Sequence, residues 1–331
     1  MAIFETGGVA NVNELADVIR AFSLSNGWTV NHNAAEGAGR RIHLQRGVNT
    51  FINLRSLVNE QAQNDGVNFH GLMSGIACNG STGYDASKNW FNQPTAPKRD
   101  NNPFPYYFMP GMVNLTGGIP AYYLFARGDM IYCVIEYAAG LYQWLGFGQV
   151  VKHGAWNGGT LIFGSHDAHT NDNNAIYTTL FGNVPWGLSF RSTSGNPNGL
   201  LYGTIDGNTG WMLSDANNNI QPQMPRFFST ECVQSGMAIN LANQYNSQPV
   251  EQPINVHVTR DGLLSSGQWN ANHNWSIEGL LPDVYMACLR SLQPGDIIPV
   301  SIDDYRVFPF RGKTPTGFGL SGWHGFAIKQ N

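Results

Sequence analysis

Two apolar runs separated by three residues constrain this chain more than any other feature. Ala121-Tyr122-Tyr123-Leu124-Phe125-Ala126 and Met130-Ile131-Tyr132-Cys133-Val134-Ile135-Glu136 flank Arg127-Gly128-Asp129. Both runs are rich in aromatic and β-branched residues, and the segment between them carries turn chemistry, so the pair predicts a β-hairpin. Leu141-Tyr142-Gln143-Trp144-Leu145-Gly146-Phe147-Gly148-Gln149-Val150 predicts a strand that continues the same sheet, and Leu161-Ile162-Phe163-Gly164 another. Further strands are expected at Ile254–Val258, Ile297–Val300, Tyr305–Phe310 and Gly325–Ile328.

The N-terminal part reads differently. Leu15, Val18, Ile19 and Phe22 share one face of a helix, with Asn13 as the expected cap, Glu14 and Asp17 favouring its N-terminal dipole, and Asn26-Gly27 as its end. Strands are expected around Trp28–Asn31, Arg41–Gln45 and Thr50–Leu54, with Asn31–Gly39 as a flexible polar loop between the first two. From Ser81 to Pro120 Gly, Pro, Asn and aromatics dominate. Proline restricts φ and exposed aromatics seek cover, so an ordered, extended arm is expected there, with Trp90, Phe91, Phe104, Tyr106 and Tyr107 as the residues for a subunit interface. The expected fold is mainly β with a minor α+β element: a helix-led module with a small meander over 1–80, the arm over 81–120, and a larger β-sandwich-like body over 121–331.

Charge narrows the function classes. Only 12% of the 331 residues are charged, about half the roughly 25% of an average soluble domain. The surface must therefore be built from Asn, Gln, Ser, Thr and Gly. Neutral polar groups lose less solvation on burial than ions do, and the cores of stable interfaces are poor in charge and rich in aromatics. A net charge of −4 with scattered basic residues argues against direct nucleic-acid binding. Met1 to Gly8 holds neither the basic nor the long apolar region of a secretory signal, and no apolar run approaches the roughly 20 residues of a membrane span. Cys78, Cys133, Cys232 and Cys288 are far apart in sequence, with no CxxC metal or redox signature. Buried free thiols, as in a reducing cytoplasm, are expected.

Residues that could carry chemistry are few. Gly164-Ser165-His166-Asp167 gathers a nucleophile, a base and an acid, but neighbours in sequence rarely face one another correctly, and no Gly-x-Ser-x-Gly elbow occurs. His166 and His169 with Asp167 and Asp172 could hold a divalent metal, yet an Asn-rich solvated loop accounts for them as well. Glu136 and Glu231 lie in apolar surroundings with nothing to pair them as glycosidase carboxylates. Trp156, Trp186, Trp211, Trp269, Trp275 and Trp323 sit in turn-like contexts, where they could stack on sugars or anchor loops. Arg127-Gly128-Asp129 reads as a turn and not as an adhesion motif. The expectation is no enzyme, no cofactor and no metal.

Three blocks, in order, resemble a family of tailed-bacteriophage virion structural proteins. They are the helix from Asn13 to Phe22 running into Asn26-Gly27-Trp28-Thr29-Val30; Tyr142 to Gly148 followed by Gly154-Ala155-Trp156-Asn157-Gly158-Gly159; and Leu292-Gln293-Pro294-Gly295-Asp296 followed by Tyr305-Arg306-Val307-Phe308-Pro309 and Gly325-Phe326-Ala327-Ile328-Lys329. The resemblance implies a neck, collar, tail-end or baseplate component without catalytic residues. It implies assembly in the host cytoplasm into a cyclic ring, sixfold or a multiple, with copies of itself and neighbouring virion proteins as partners. The alternative is a virion-attached protein that binds host-surface carbohydrate. Trp144, Phe147 and Trp156 are expected to organise the central sheet and its turns.

Overall fold

The structure, a computed structural model, describes residues 3–61, 72–96, 110–113, 115–155, 158–167, 200–202, 212–213, 225–227, 252–260, 274–289, 291–309 and 324–331. In chain order the elements are β1 (Phe4–Val9), α1 (Val12–Ser25), β2 (Thr29–Glu36), β3 (Gly39–Arg46), β4 (Thr50–Gln61), β5 (Leu72–Ser81), β6 (Pro110–Val113), β7 (Ile119–Arg127), β8 (Met130–Ala138), β9 (Leu141–Gln149), β10 (Val151–Lys152), β11 (Thr160–Gly164) and β12 (His166–Asp167). They continue with β13 (Leu200–Tyr202), β14 (Met212–Leu213), β15 (Pro225–Phe227), β16 (Gln252–Arg260), β17 (Asn274–Cys288), β18 (Ile297–Val300), β19 (Asp303–Pro309) and β20 (His324–Lys329). The fold is mainly β.

Three antiparallel sheets result. The first runs β12-β6-β5-β4-β3-β2. The middle one runs β1-β7-β8-β9-β11-β13-β14. The third runs β15-β16-β17-β20-β19-β18, with β10 also pairing β17. The predicted hairpin lies in the middle sheet: Arg127 pairs with Met130 around Gly128-Asp129, and Gly128 takes a φ of 53°, which the first central residue of a mirror-image hairpin turn requires.

Alternation explains why the middle sheet needs two covers. Leu124, Ile131, Cys133, Ile135, Leu145, Phe147 and Ile162 point into one core, shared with α1 (Leu15, Ile19, Phe22) and the first sheet (Ile42, Leu44, Ile52, Leu54). Their sequence neighbours Phe125, Tyr132, Val134, Trp144, Leu161 and Phe163 point the other way, into a second core shared with Leu281, Val284, Phe308, Phe326 and Ile328 of the third sheet. A strand buried on both faces reads as a continuous apolar run, which is what Met130–Ile135 is. Trp144 and Phe147 are thus central to the sheet, on opposite faces. Trp156 lies outside the described residues.

Polar side chains stitch the layers together. Arg127, almost wholly buried, donates from Nε and Nη2 to the Lys329 carbonyl at 2.8 and 2.6 Å. The Tyr132 hydroxyl donates to the Pro282 carbonyl at 3.0 Å. The Arg306 guanidinium sits 5.4 Å from the centre of the Phe4 ring and 5.6 Å from that of Tyr123, in cation–π geometry. Gly146 is needed for packing, because a Cβ there would stand 2.3 Å from the Phe163 ring.

Several expectations change at the N-terminus. The helix cap is Asn11, whose Oδ1 accepts from the backbone N–H of Asn13 and Glu14 at 3.0 Å each. Asn13 instead bonds outward, donating to the Ala38 carbonyl and accepting from Ser56 Oγ. Residues 31–36 and 39 are not loop: β2 and β3 pair from Thr29↔Gln45 to Glu36↔Gly39. Weak local propensity there is overridden by the ladder to β3. The first core also crosses the expected divisions at residues 80 and 120, since it joins α1 and the first sheet to Ile119–Ile162, and β1 pairs with β7.

Two-sided burial predicts that Cys133→Asp and Val134→Asp, adjacent but on opposite faces, each cost several kcal/mol, because each buries a carboxyl group without a partner. Urea unfolding checks this. A change below about 0.5 kcal/mol for either variant, the size of an ordinary surface effect, means that its face is not a core.

Candidate functional site

The outward-facing residues of the first sheet do not meet water freely. Where β3 alternates, Ile42 and Leu44 enter the core, and Arg41 and His43 lie on the opposite face beside Asn53 of β4 and Asn79 of β5. Residues 82–96 fold over this face. Instead of extending as an arm, this stretch wraps around the buried Gln93 side chain: Oε1 accepts from Asp85 N at 2.8 Å, and Nε2 lies 3.0–3.1 Å from the carbonyls of Asp85, Lys88 and Asn89. Trp90 is 0% exposed and belongs to the first core, with Phe91 partly buried against it. Of the five residues expected at an interface, these two are used inside the chain. Phe104, Tyr106 and Tyr107 lie outside the described residues.

The cap is fastened through a histidine cluster that no sequence motif marked. Tyr84 rests on His43 with ring centres 5.0 Å apart, and its hydroxyl is 3.3 Å from His32 Nδ1. Arg41 bonds to the Lys88 carbonyl of the cap, while its Nε donates to His43 Nε2 at 2.7 Å. An arginine keeps its proton, so Nε2 must accept, and the other ring nitrogen, Nδ1, carries the hydrogen and donates to Asn53 Oδ1 at 2.5 Å. His43 is therefore held as one neutral tautomer. Burial, and then Arg41 and His32 nearby, lower its pKa to about 4, against a raising contribution from the Asn53 bond. An imidazole fixed this way is a structural clasp, because neither nitrogen is available to a substrate.

The other sequence candidates are placed as follows. Ser165 is buried, and its Oγ accepts from Trp144 N at 3.2 Å. His166 and Asp167 form β12. His169, Asp172, Glu231, Cys232, Trp186, Trp211, Trp269 and Trp323 lie outside the described residues, while Trp275 and Cys288 lie in β17. Glu136 accepts from Gly140 N at 2.8 Å and closes the β8–β9 turn. Cys78 and Cys133 are free, buried thiols, and burial pushes both up from the ordinary thiol range. Among the described residues no group of three or more His, Cys, Asp or Glu side chains could hold a metal ion, and no helix is long and apolar enough to cross a membrane.

Apolar side chains are exposed at hairpin tips. Val48, between β3 and β4, is 81% exposed, and Ile302, between β18 and β19, is 91% exposed. Each sheet also ends in strands with a single described neighbour, among them β2, which pairs only with β3, and β18, which pairs only with β19. The β2 segment Thr-Val-Asn-His-Asn-Ala-Ala-Glu carries no lysine and no proline, the residues that usually protect such edges.

No family model matches the chain, and no curated protein matches it.

The His43 clasp sets a pH dependence. The folded state holds the neutral imidazole, with its pKa lowered from 6.5 to about 4, so the stabilisation is complete above about pH 6.5 and declines as pH falls towards 4. Linkage makes this loss about 3 kcal/mol. His43→Gln is expected to be less stable at pH 7 and to lose less on acidification. Urea melts at pH 7 and pH 4 test it, and an equal acid loss in both proteins rules the clasp out.

Proposed function

We propose that this chain is a structural subunit of a tailed-phage particle, part of a symmetric neck, collar or tail assembly held by protein–protein contacts. The observation that carries the reading is the charge content. A chain with 12% charged residues presents a surface of amides, hydroxyls and aliphatic groups, which is inexpensive to desolvate against another protein. The layered β architecture supports the reading, since the middle sheet, buried on both faces, holds the two outer sheets in place, and their hairpin tips carry the exposed Val48 and Ile302. The unprotected β2 edge supports it too, because an open edge accepts a neighbour's strand through main-chain hydrogen bonds. Closed rings multiply each modest contact by the number of subunits. In this reading the partners are further copies in a sixfold ring or a multiple of it, together with neighbouring virion proteins. No catalytic step and no cofactor are assigned, and the place of action is the virion.

Mass photometry of the purified chain tests the proposal. The expected species is a closed ring. Ile302→Asp and Asn33→Lys, at an exposed tip and on an exposed edge position, are expected to weaken it at least tenfold while moving the thermal midpoint by no more than a few degrees, as surface changes do. A chain that stays monomeric, and that is missing from particles imaged by cryo-electron microscopy, overturns the proposal.

A further inference from the structure

At one end of the first and middle sheets the β3–β4 and β7–β8 turns, the β9–β10 junction and the start of β11 surround a cleft of about 900 Å³. That is near the upper end of the roughly 300–1,000 Å³ of small-molecule sites. Its floor is an amide locked between two hydroxyls: Gln149 Nε2 donates to Thr50 Oγ1 at 2.5 Å and to Thr160 Oγ1 at 2.7 Å. Both threonines are buried, at 2% and 4% exposure.

Donor counting shows what the floor offers. Both amide hydrogens of Gln149 are spent on the threonines, so its carbonyl oxygen turns away from them as an acceptor. Each threonine oxygen already accepts, so each hydroxyl hydrogen must go elsewhere. The threonine oxygens are 3.4 Å apart, and only one hydrogen can serve that contact. Among the described residues at least one hydroxyl donor and one carbonyl acceptor are therefore left at the base of the cleft. On the wall, Arg46 donates from Nε to Asp129 Oδ1 at 2.8 Å, its Nη2 lies 2.8 Å from the same oxygen, and Nη1 donates to the Asn26 carbonyl at 3.0 Å. The guanidinium is neutralised in place, and Oδ2 of the half-exposed Asp129 is left to accept. Asn49, exposed on the rim, adds a second amide. Lys152 is the other formal charge on the described lining.

Closely spaced donors and acceptors with nearly balanced charge suit vicinal hydroxyl groups, each of which donates and accepts at once. A phosphate or a nucleic acid needs clustered cations instead. We propose that this cleft binds a polyhydroxylated ligand, a short glycan, through Gln149, Asp129, Asn49 and the Thr50–Thr160 floor. The inference is argued from the cleft's own groups and does not require the ring assembly, and either can fail without the other.

The test is saturation-transfer NMR and calorimetry on the full chain with four probes: maltotetraose, cellotetraose, chitotetraose and a sialylated trisaccharide. At least one is expected to bind, with saturation passing from the protein to the ligand's protons, and Asp129→Ala combined with Asn49→Ala is expected to weaken it at least tenfold. Both positions are exposed, so this variant keeps its fold, and Gln149→Leu serves as a second, buried-side probe. Ile302→Asp, on the β18–β19 tip and not among the cleft-lining residues, is expected to leave binding unchanged. Absence of binding by all four probes overturns the proposal. So does binding that the cleft variants do not affect, and so does a cleft filled by a neighbouring copy in the assembled ring.

Discussion

Burial of the middle sheet on both faces is the constraint on which the rest of this structure depends. A single sheet with one solvated face alternates polar and apolar residues. Here Met130–Ile135 alternates between two apolar cores instead, so neither the helix-led layer nor the third sheet is optional. Removing either cover would expose aromatic and aliphatic side chains whose burial stabilises the fold by roughly 1.5–3 kcal/mol each. The N-terminal helix and the C-terminal strand, far apart in sequence, are thereby parts of one packing problem.

Charge scarcity and this layering are linked. With so much apolar surface consumed internally, what remains outside is mostly neutral polar backbone and side chain, arranged on hairpins that the stack holds still. Such a surface gives up little hydration on contact with protein or with sugar hydroxyls. The same physical property therefore underlies both the assembly reading and the glycan cleft, which meet at the β3–β4 turn, where the exposed tip residue Val48 also lines the cleft. The assembly reading uses the tips and the β2 edge, and the cleft uses the Gln149 floor and the Arg46–Asp129 wall.

Buried polar groups have a different task. His43, Arg127 and Gln93 each satisfy or present backbone and side-chain groups at places where segments distant in sequence meet: cap on sheet, middle sheet on third sheet, cap on itself. Buried hydrogen-bonding groups are costly unless matched, so each specifies one arrangement of those segments. The acid sensitivity of the His43 clasp follows from the same cost, since a second proton on the ring would have to lie against Arg41.

By itself the sequence determined the mainly β class, the hairpin at Gly128-Asp129, the helix over Leu15–Phe22 and most strand positions, because these depend on local periodicity and turn chemistry. Trp144 and Phe147 were legible as organisers of the sheet for the same reason. Only the tertiary structure decided that Trp90 and Phe91 turn inward, since an aromatic run in a Pro-rich stretch reads alike whether its cover is its own sheet or a neighbour. Only the tertiary structure joined Arg41, His43, Asn53 and Tyr84, or Thr50, Gln149 and Thr160. These residues are separated by tens of residues or more and bear no spacing signature. What unites them is the register of antiparallel ladders, which distant strands set in pairing and no short window of sequence contains.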